Sequence, residues 1–112
     1  MKRTHLRFVK GFHVALTNRR AQVTSMTLMN GDREGDSQNR HRGADQCLFV
    51  VRGSGTARVN GKRYPLRPGT VLLIEHGDRH EIIAGQGRLE TLNVYVPPAY
   101  ASDGDELPRA KP

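Results

Sequence analysis

Short apolar runs, repeatedly interrupted by glycine and proline, are the feature that most constrains how this chain can fold. No long segment repeats apolar residues at the spacing of three and four that an amphipathic helix requires. Runs of this kind predict the strands of a sandwich or barrel instead, and an all-β fold suits a chain with only 36% hydrophobic residues, because each strand need bury one face only. The predicted strands are Phe12–Thr17, Gln22–Met29, Gln46–Arg52, Thr56–Val59, Val71–Glu75, Glu81–Ala84 and Arg88–Val96.

Turn residues separate these strands. Asn60-Gly61 is the strongest short hairpin signal in the chain, since both residues readily adopt the positive φ of a type I′ turn. Pro97-Pro98 ends the last strand, because proline has no amide hydrogen to donate to a ladder. The polar segment Asn30–Arg40 predicts a loop, and the polar Ala101–Pro112 predicts a flexible tail.

The chain has 112 residues, which is enough for one domain. We divide it into a basic arm with the first strand (1–20), a β-barrel (21–100) and the tail (101–112). The net charge is +7, and six of these charges fall in the first twenty residues, where no acid offsets them. A basic arm can contact nucleic acid, a membrane surface or an acidic partner, but charge runs are commonly solvated termini, which is the interpretation that we favour. We do not expect nucleic-acid binding, because the chain is poor in aromatic residues and has no room for a helix-turn-helix.

Cys47 is the only cysteine, so no disulfide can form within the chain. A single cysteine is typical of a reducing compartment. No apolar run approaches the roughly 20 residues of a membrane helix, and no signal-peptide core follows Met1. We therefore expect a soluble, cytoplasmic protein that does not enter the membrane.

Two histidines at predicted strand ends are the best candidates for chemistry. His41 ends the polar loop, and His80 precedes a strand, so a barrel can bring both to one mouth. Gln46 shares a strand face with Leu48 and Val50, which predicts that it points inward. A buried amide needs a partner, and neutral imidazole is the commonest metal ligand. A metal site and ordinary hydrogen-bonded polar residues both remain open from these residues alone.

The same residues carry a family resemblance. The segment from Asn39 to Gly53 resembles the first cupin motif, a His-x-His pair followed by a Glu and a Gly. His41 holds the second His position and Gly53 the Gly. Gln46 stands at the Glu position, and Asn39 replaces the first His.

A second cupin motif follows at the family's spacing. Gly69, Gly77 and His80 occupy its two Gly positions and its His position. Glu75 and Ala84 replace the motif's Pro and Asn. The chain is similar to small single-domain cupins of the conserved-barrel, RmlC-like type.

The resemblance implies a double-stranded β-helix, or jelly roll, with little helix and usually paired as a homodimer. It implies a divalent metal, Zn, Fe, Mn or Ni, held by His41, Gln46 and His80, with Asn39 at the place of a further ligand. His76, in the turn four residues before His80, is a candidate for the pocket mouth, and a solvated turn histidine is the alternative. The family's carboxylate ligand is missing from its place. Possible substitutes are Glu34, Glu75 and Glu90.

Two functions follow as hypotheses. The first is a metal-dependent enzyme of the dioxygenase or isomerase type, acting on a small organic molecule. The second is a non-catalytic module that binds or senses a small molecule without a tightly bound metal. An arginine at the barrel mouth would favour an anionic ligand. The candidates are Arg52, Arg58 and Arg67.

Overall fold

The computed structural model describes residues 1–35 and 43–107. Within these ranges the chain forms nine β-strands and no helix, which confirms the all-β prediction. No described segment forms a helix long and apolar enough to cross a membrane. The strands are β1 (Gly11–Thr17), β2 (Gln22–Leu28), β3 (Arg33–Gly35), β4 (Asp45–Arg52), β5 (Gly55–Val59), β6 (Lys62–Leu66), β7 (Val71–Ile74), β8 (His80–Ala84) and β9 (Leu89–Val96).

The strands form two antiparallel sheets around one core. The five-stranded sheet has the order β1-β2-β9-β4-β7, and the four-stranded sheet has the order β3-β8-β5-β6. Alternation along β4 shows how sequence becomes burial: Leu48 and Val50 are fully buried, whereas Phe49 between them is exposed. The apolar core shared by the two sheets consists of Met26, Leu28, Leu48, Val50, Ala57, Leu66, Ile82, Ala84 and Leu89.

The Asn60-Gly61 turn fixes the start of β8. Both residues have positive φ, 51° and 82°, as the hairpin between β5 and β6 requires. The Asn60 side chain donates to Asp78 at 2.9 Å and accepts from the backbone N–H of Arg79 at 3.0 Å. The next residue, His80, then pairs with Val59 across β5 and β8. A local turn preference thus sets where the His80 side chain enters the barrel.

Part of the predicted loop Asn30–Arg40 is a strand. Arg33–Gly35 pairs with β8 at the edge of the four-stranded sheet. Three polar residues are too few to show an alternating pattern, so β3 was missed. Its register places Glu34 opposite Ile82, on the inward face of the sheet.

Residues 99–107, here called the C-terminal return, fold back against the barrel. Leu107 donates to the carbonyl of Ala99 at 2.8 Å, and Tyr100 and Glu106 form an isolated bridge. The buried Gln22 holds the return in place: its Nε2 donates to the Tyr100 carbonyl at 2.7 Å, and its Oε1 accepts from the Tyr100 N–H at 3.0 Å. The flexibility predicted for the tail stays a prediction, and residues 108–112 lie outside the described part of the chain.

Candidate functional site

Gln46 belongs to a series of hydrogen-bonded polar side chains in the barrel interior. The residue is only 4% exposed. Its Nε2 donates to Asn93 Oδ1 at 3.0 Å, and Asn93 Nδ2 donates to Thr91 Oγ1 at 3.1 Å. Thr91 in turn donates to the Met26 carbonyl at 3.4 Å. These bonds fix the Gln46 amide from one side, because each member of the chain is held by the next.

The other side of the Gln46 amide is unsatisfied. Gln46 Oε1 is buried and has no hydrogen-bond partner among the described residues. Leaving a buried acceptor unpaired costs about 1–3 kcal/mol, so a donor or a cation at this point would be stabilising. Because Nε2 points at Asn93, Oε1 lies on the side of the amide turned away from it.

His80 is a further buried polar side chain of this interior. It is the first residue of β8 and is 4% exposed. Its Nδ1 lies 3.1 Å from the Asp78 carbonyl, and since a carbonyl only accepts, Nδ1 carries the proton. Metal-binding histidines commonly donate one ring N–H to a carbonyl in this way and bind the metal through the other ring nitrogen.

The other predicted ligand lies outside the described residues, as does a predicted pocket residue. His41 and Asn39 both fall between residues 36 and 42, so their positions stay predictions. Among the residues that the structure describes, no three His, Cys, Asp or Glu side chains are grouped closely enough to hold a metal. A metal centre at Gln46 and His80 would therefore need a ligand from the undescribed segment.

The comparisons with known proteins decide the family. The family model described as "Cupin domain" matches residues 24–95, well over half of the chain.

The chain belongs to the cupin family.

Three similar proteins illustrate the match. L-ectoine synthase of Mycobacterium sp. (strain KMS) is 32% identical over 74 residues, which are 64% of this chain and 55% of the relative, so the cupin spans about half the length of the curated relative that it matches. A predicted oxalate decarboxylase from Thermotoga maritima is 26% identical with a TM-score of 0.69, over 78% of this chain and 79% of that chain. An RmlC-like cupin protein from Desulfovibrio desulfuricans is 19% identical with a TM-score of 0.72, over 88% and 99% of the two chains. The jelly-roll fold implied by the sequence is thereby confirmed.

His76, predicted for the pocket of this cupin, lies on the exposed turn between β7 and β8. Its Nδ1 is 2.8 Å from Asp45 Oδ1, and its backbone N–H donates to the same oxygen at 2.8 Å. The backbone bond, followed by the bond to the ring, lowers the pKa of Asp45, and the side-chain bond to Asp45 raises the pKa of His76. Asp45 pairs with Val96 on the face opposite to Gln46, as its position in the strand predicts.

Two of the three arginines proposed for the cupin mouth, Arg52 and Arg58, pair with glutamates. Arg58 lies 3.5 Å from Glu81, which also pairs with Arg33 at 3.2 Å. Arg52 lies 4.0 Å from Glu90, one of the predicted substitute carboxylates. Glu81 and Glu90 alternate with the inward-facing residues of their strands. Their ion pairs therefore lie on the outer faces of the sheets.

An acidic and aromatic cluster at one end of the cupin barrel was largely missed by sequence reasoning. Tyr100 on the C-terminal return packs its ring 5.1 Å from that of Tyr95 and 4.6 Å from that of Phe12. Burial and the nearby charge of Glu106 raise the pKa of Glu34, although much of the Glu34 side chain remains exposed. Burial is the largest cause of the raised pKa of Tyr95 and of Tyr100, and both carboxylates add to it.

This cluster adjoins the Gln46 site. Tyr95 is the register partner of Gln46 across β4 and β9, on the same inward face. The signal available in the sequence was weak: Glu34 was considered as a substitute carboxylate, but β3 and the C-terminal return had no pattern from which to place it. Only the folded register brings β3, β9 and the return together.

Proposed function

We propose that this cupin binds one divalent metal ion and a small organic molecule inside its barrel, with His41, Gln46 and His80 as the metal ligands. The observation that carries the proposal is the buried Gln46 Oε1, which has no partner among the described residues. An oxygen held in this way, on an amide fixed by Asn93, gains most from a cation in front of it.

The donor set fits a borderline metal. Two imidazole nitrogens and one amide oxygen suit Zn, Fe, Mn or Ni, and less so the hard ions Ca and Mg, which prefer all-oxygen sites. A neutral amide in place of the family's carboxylate predicts weaker binding than in a cupin with the full ligand set. A bound metal would supply a Lewis acid that polarises an oxygen of the organic ligand.

The residues of this chain would hold and orient the bound groups. Asn93 fixes the rotation of the Gln46 amide, and the Asp78 carbonyl fixes the tautomer of His80. Leu48 and Ile82 line the interior with apolar surface that would exclude water from a bound ligand. Both side chains are fully or almost fully buried. These are the features of a preorganised small-molecule site.

We favour a metal-dependent enzyme of the isomerase or dioxygenase class. The names of two relatives, a synthase and a decarboxylase, support catalysis in proteins of this shape. The alternative is a non-catalytic binding or sensing module, which the replacement of a carboxylate ligand by Gln46 favours. The cytoplasmic location that a lone cysteine suggests stays a prediction.

Elemental analysis of protein purified without added metal tests the proposal. We expect close to one equivalent of a single transition metal in the unmodified protein, and loss of most of it in His41→Ala and in His80→Ala. His76→Ala is the matched control, because that ring is exposed and bonded to Asp45. Full metal content in the two test variants would contradict the ligand set.

We also propose that the protein is a homodimer. The outer face of the five-stranded sheet, here called the apolar outer face, exposes Phe49, Val71, Leu73 and Val96 on neighbouring strands. Contiguous apolar patches of this kind mark association sites in soluble proteins. A second copy, which presents the same face about a two-fold axis, is the simplest occupant.

A further inference from the structure

The segment before β1, residues 1–10 and here called the arm segment, covers part of the outer face of the five-stranded sheet. Ser25 of β2 lies on this outer face, because its register partner on β9 is Leu92, which is paired in turn with the exposed Phe49 of β4. Ser25 is nevertheless only 3% exposed, and it lines one groove together with residues of the arm segment. The Arg88 guanidinium donates to the Phe8 carbonyl at 3.2 Å. The arm segment therefore packs against the folded domain.

The groove between the arm segment and the edge strand β1 is large enough for a small molecule. Its volume is about 590 Å³, within the roughly 300–1,000 Å³ of ordinary ligand pockets. A β-bulge shapes one wall: the register of β1 and β2 shifts between Val14 and Leu16, so that Ala15 has no partner on β2. Bulges at sheet edges redirect side chains, and here both Val14 and Ala15 line the groove. Leu6 and Val9 of the arm segment complete this apolar wall.

The charge in this groove is positive and has no partner. Arg7 lines the groove, and among the described residues it takes part in no ion pair and no side-chain hydrogen bond. No aspartate or glutamate lines the groove, and the first acid of the chain is Asp32. His13 Nε2 lies 3.1 Å from the Lys10 carbonyl, which fixes the ring of His13 beside the groove. An unpaired guanidinium next to apolar surface is complementary to an anion that has an apolar body.

We propose that this groove is a second ligand site, outside the barrel, which binds a small organic monocarboxylate. The carboxylate lies on the Arg7 guanidinium, whose planar fork donates two parallel hydrogen bonds to such a group. The hydrocarbon part lies against the apolar wall formed by the arm segment and β1. One unpaired guanidinium matches one negative charge, which favours a carboxylate over a phosphate dianion. The site depends neither on the metal nor on the organic ligand proposed for the barrel.

A series of simple probes tests the site: hexanoate, hexanol, hexylamine and acetate, each titrated into the isotope-labelled protein at neutral pH and followed by amide NMR shifts. We expect hexanoate to bind at least about fivefold more tightly than hexanol or hexylamine, because only hexanoate forms the ion pair with Arg7. Acetate should bind at least about fivefold more weakly than hexanoate, since it lacks the methylenes that the apolar wall buries. The shifted amides should include those of Val14, Ala15 and Ser25. Equal binding of all four probes, or shifts confined to the barrel interior, overturns the proposal.

Two arginine variants assign the effect to the groove. Arg7→Gln should weaken hexanoate binding about fivefold or more, because it removes the only guanidinium that lines the groove. Arg3→Gln is the matched control: it removes the same charge from the same exposed segment, but Arg3 does not line the groove, so hexanoate should bind as to the unmodified protein. Unchanged affinity in Arg7→Gln overturns the proposal. So does an equal loss in both variants, since that result would indicate net charge and not a site.

Metal removal separates this site from the barrel interior. The unmodified protein is treated with a chelator, dialysed and titrated again with hexanoate. The affinity should not change, because the groove lies on the outer face of the sheet and Gln46 and His80 lie inside the barrel. Loss of hexanoate binding after metal removal would place the carboxylate at the metal and overturns the proposal.

Discussion

On the inward face of the five-stranded sheet, Gln46, Thr91 and Asn93 are buried polar residues, whereas the outward face of the same sheet exposes Phe49, Leu73 and Val96. A monomer that only needed to stay folded and soluble would have the opposite distribution. Buried polar groups cost free energy unless they are paired, and exposed apolar patches favour association. This distribution supports the two proposals made above, a ligand on the inner face and a second copy of the protein on the outer face.

The inner face combines polar and apolar side chains. Leu48, Val50 and Leu89 are fully buried apolar residues of this interior. Asn93 pairs with Leu48 and Thr91 with Val50, so polar side chains of β9 lie beside apolar side chains of β4. The apolar members stabilise the fold, and Gln46 with its hydrogen-bond partners forms the candidate binding site.

The largest expected effect compares one leucine from each face. Leu48→Ala, at a fully buried position, should lower the free energy of unfolding by about 2–5 kcal/mol, because it removes packed methyl groups and leaves a cavity. Leu73→Ala, 67% exposed on the adjacent strand, should cost less than about 1 kcal/mol in the monomer. Urea denaturation at low protein concentration measures both. Equal costs would mean that the outer face is buried in the monomer.

The second prediction concerns a variant that disrupts the apolar outer face. Leu73→Asp places a charge in the middle of the apolar outer face and should weaken self-association at least about thirtyfold, the effect expected when a central anchor is lost. Sedimentation velocity over a range of concentrations gives the association constant. Tyr64→Asp, an exposed ring on β6 of the other sheet, is the matched control and should still dimerise. A monomeric unmodified protein would remove the basis of the homodimer.

Of the nine strands in the described residues, seven were predicted from the sequence, and the two that were missed, β3 and β6, are the edge strands of the four-stranded sheet. β4 and β9 have long apolar patterns, and the Asn60-Gly61 turn has its own backbone signature, so each could be placed from local residues. The three-residue β3 is held by its pairing with β8, which no local pattern encodes. The C-terminal return depends on Gln22, far away in the chain, and could not be predicted from its own polar residues.

The candidate site likewise contains some residues whose positions the sequence predicted and others whose positions it did not. The inward orientation of Gln46 followed from strand alternation and is confirmed by its burial. The vicinity of Glu34, Glu106 and Tyr100 could not be predicted, because it depends on how three distant segments meet at one end of the barrel. The metal set stays a prediction, since His41 lies outside the described residues.

The third prediction concerns the Gln46 side chain on the inner face. Gln46→Glu restores the carboxylate of the family motif and should raise Zn²⁺ affinity at least about tenfold, because a charged ligand replaces a neutral one. Without metal the same variant should lose about 1–3 kcal/mol of stability, since a buried carboxylate then faces Asn93 Oδ1 unless that amide rotates. Competition with a chelating dye and thermal unfolding measure the two effects. Gln46→Leu is the control that should bind less metal, and unchanged affinity in both variants would exclude Gln46 as a ligand.

The smallest expected effect concerns the exposed Asp45–His76 pair, which lies on the outer side of the strand that carries Gln46. The folded pKa of Asp45 is lowered from its usual 3.8, so its stabilising effect is present above that pH and is lost as the pH falls through the folded value. The folded pKa of His76 is raised from its usual 6.5, so its effect is present below that pH and is lost as the pH rises through the folded value. The pair therefore stabilises the fold most between about pH 3.8 and 6.5, and Asp45→Asn should reduce stability slightly in that window and least at alkaline pH. NMR titration of the His76 ring should show its pKa return toward the usual value in Asp45→Asn, and an unchanged pKa would mean that the ion pair does not persist in solution.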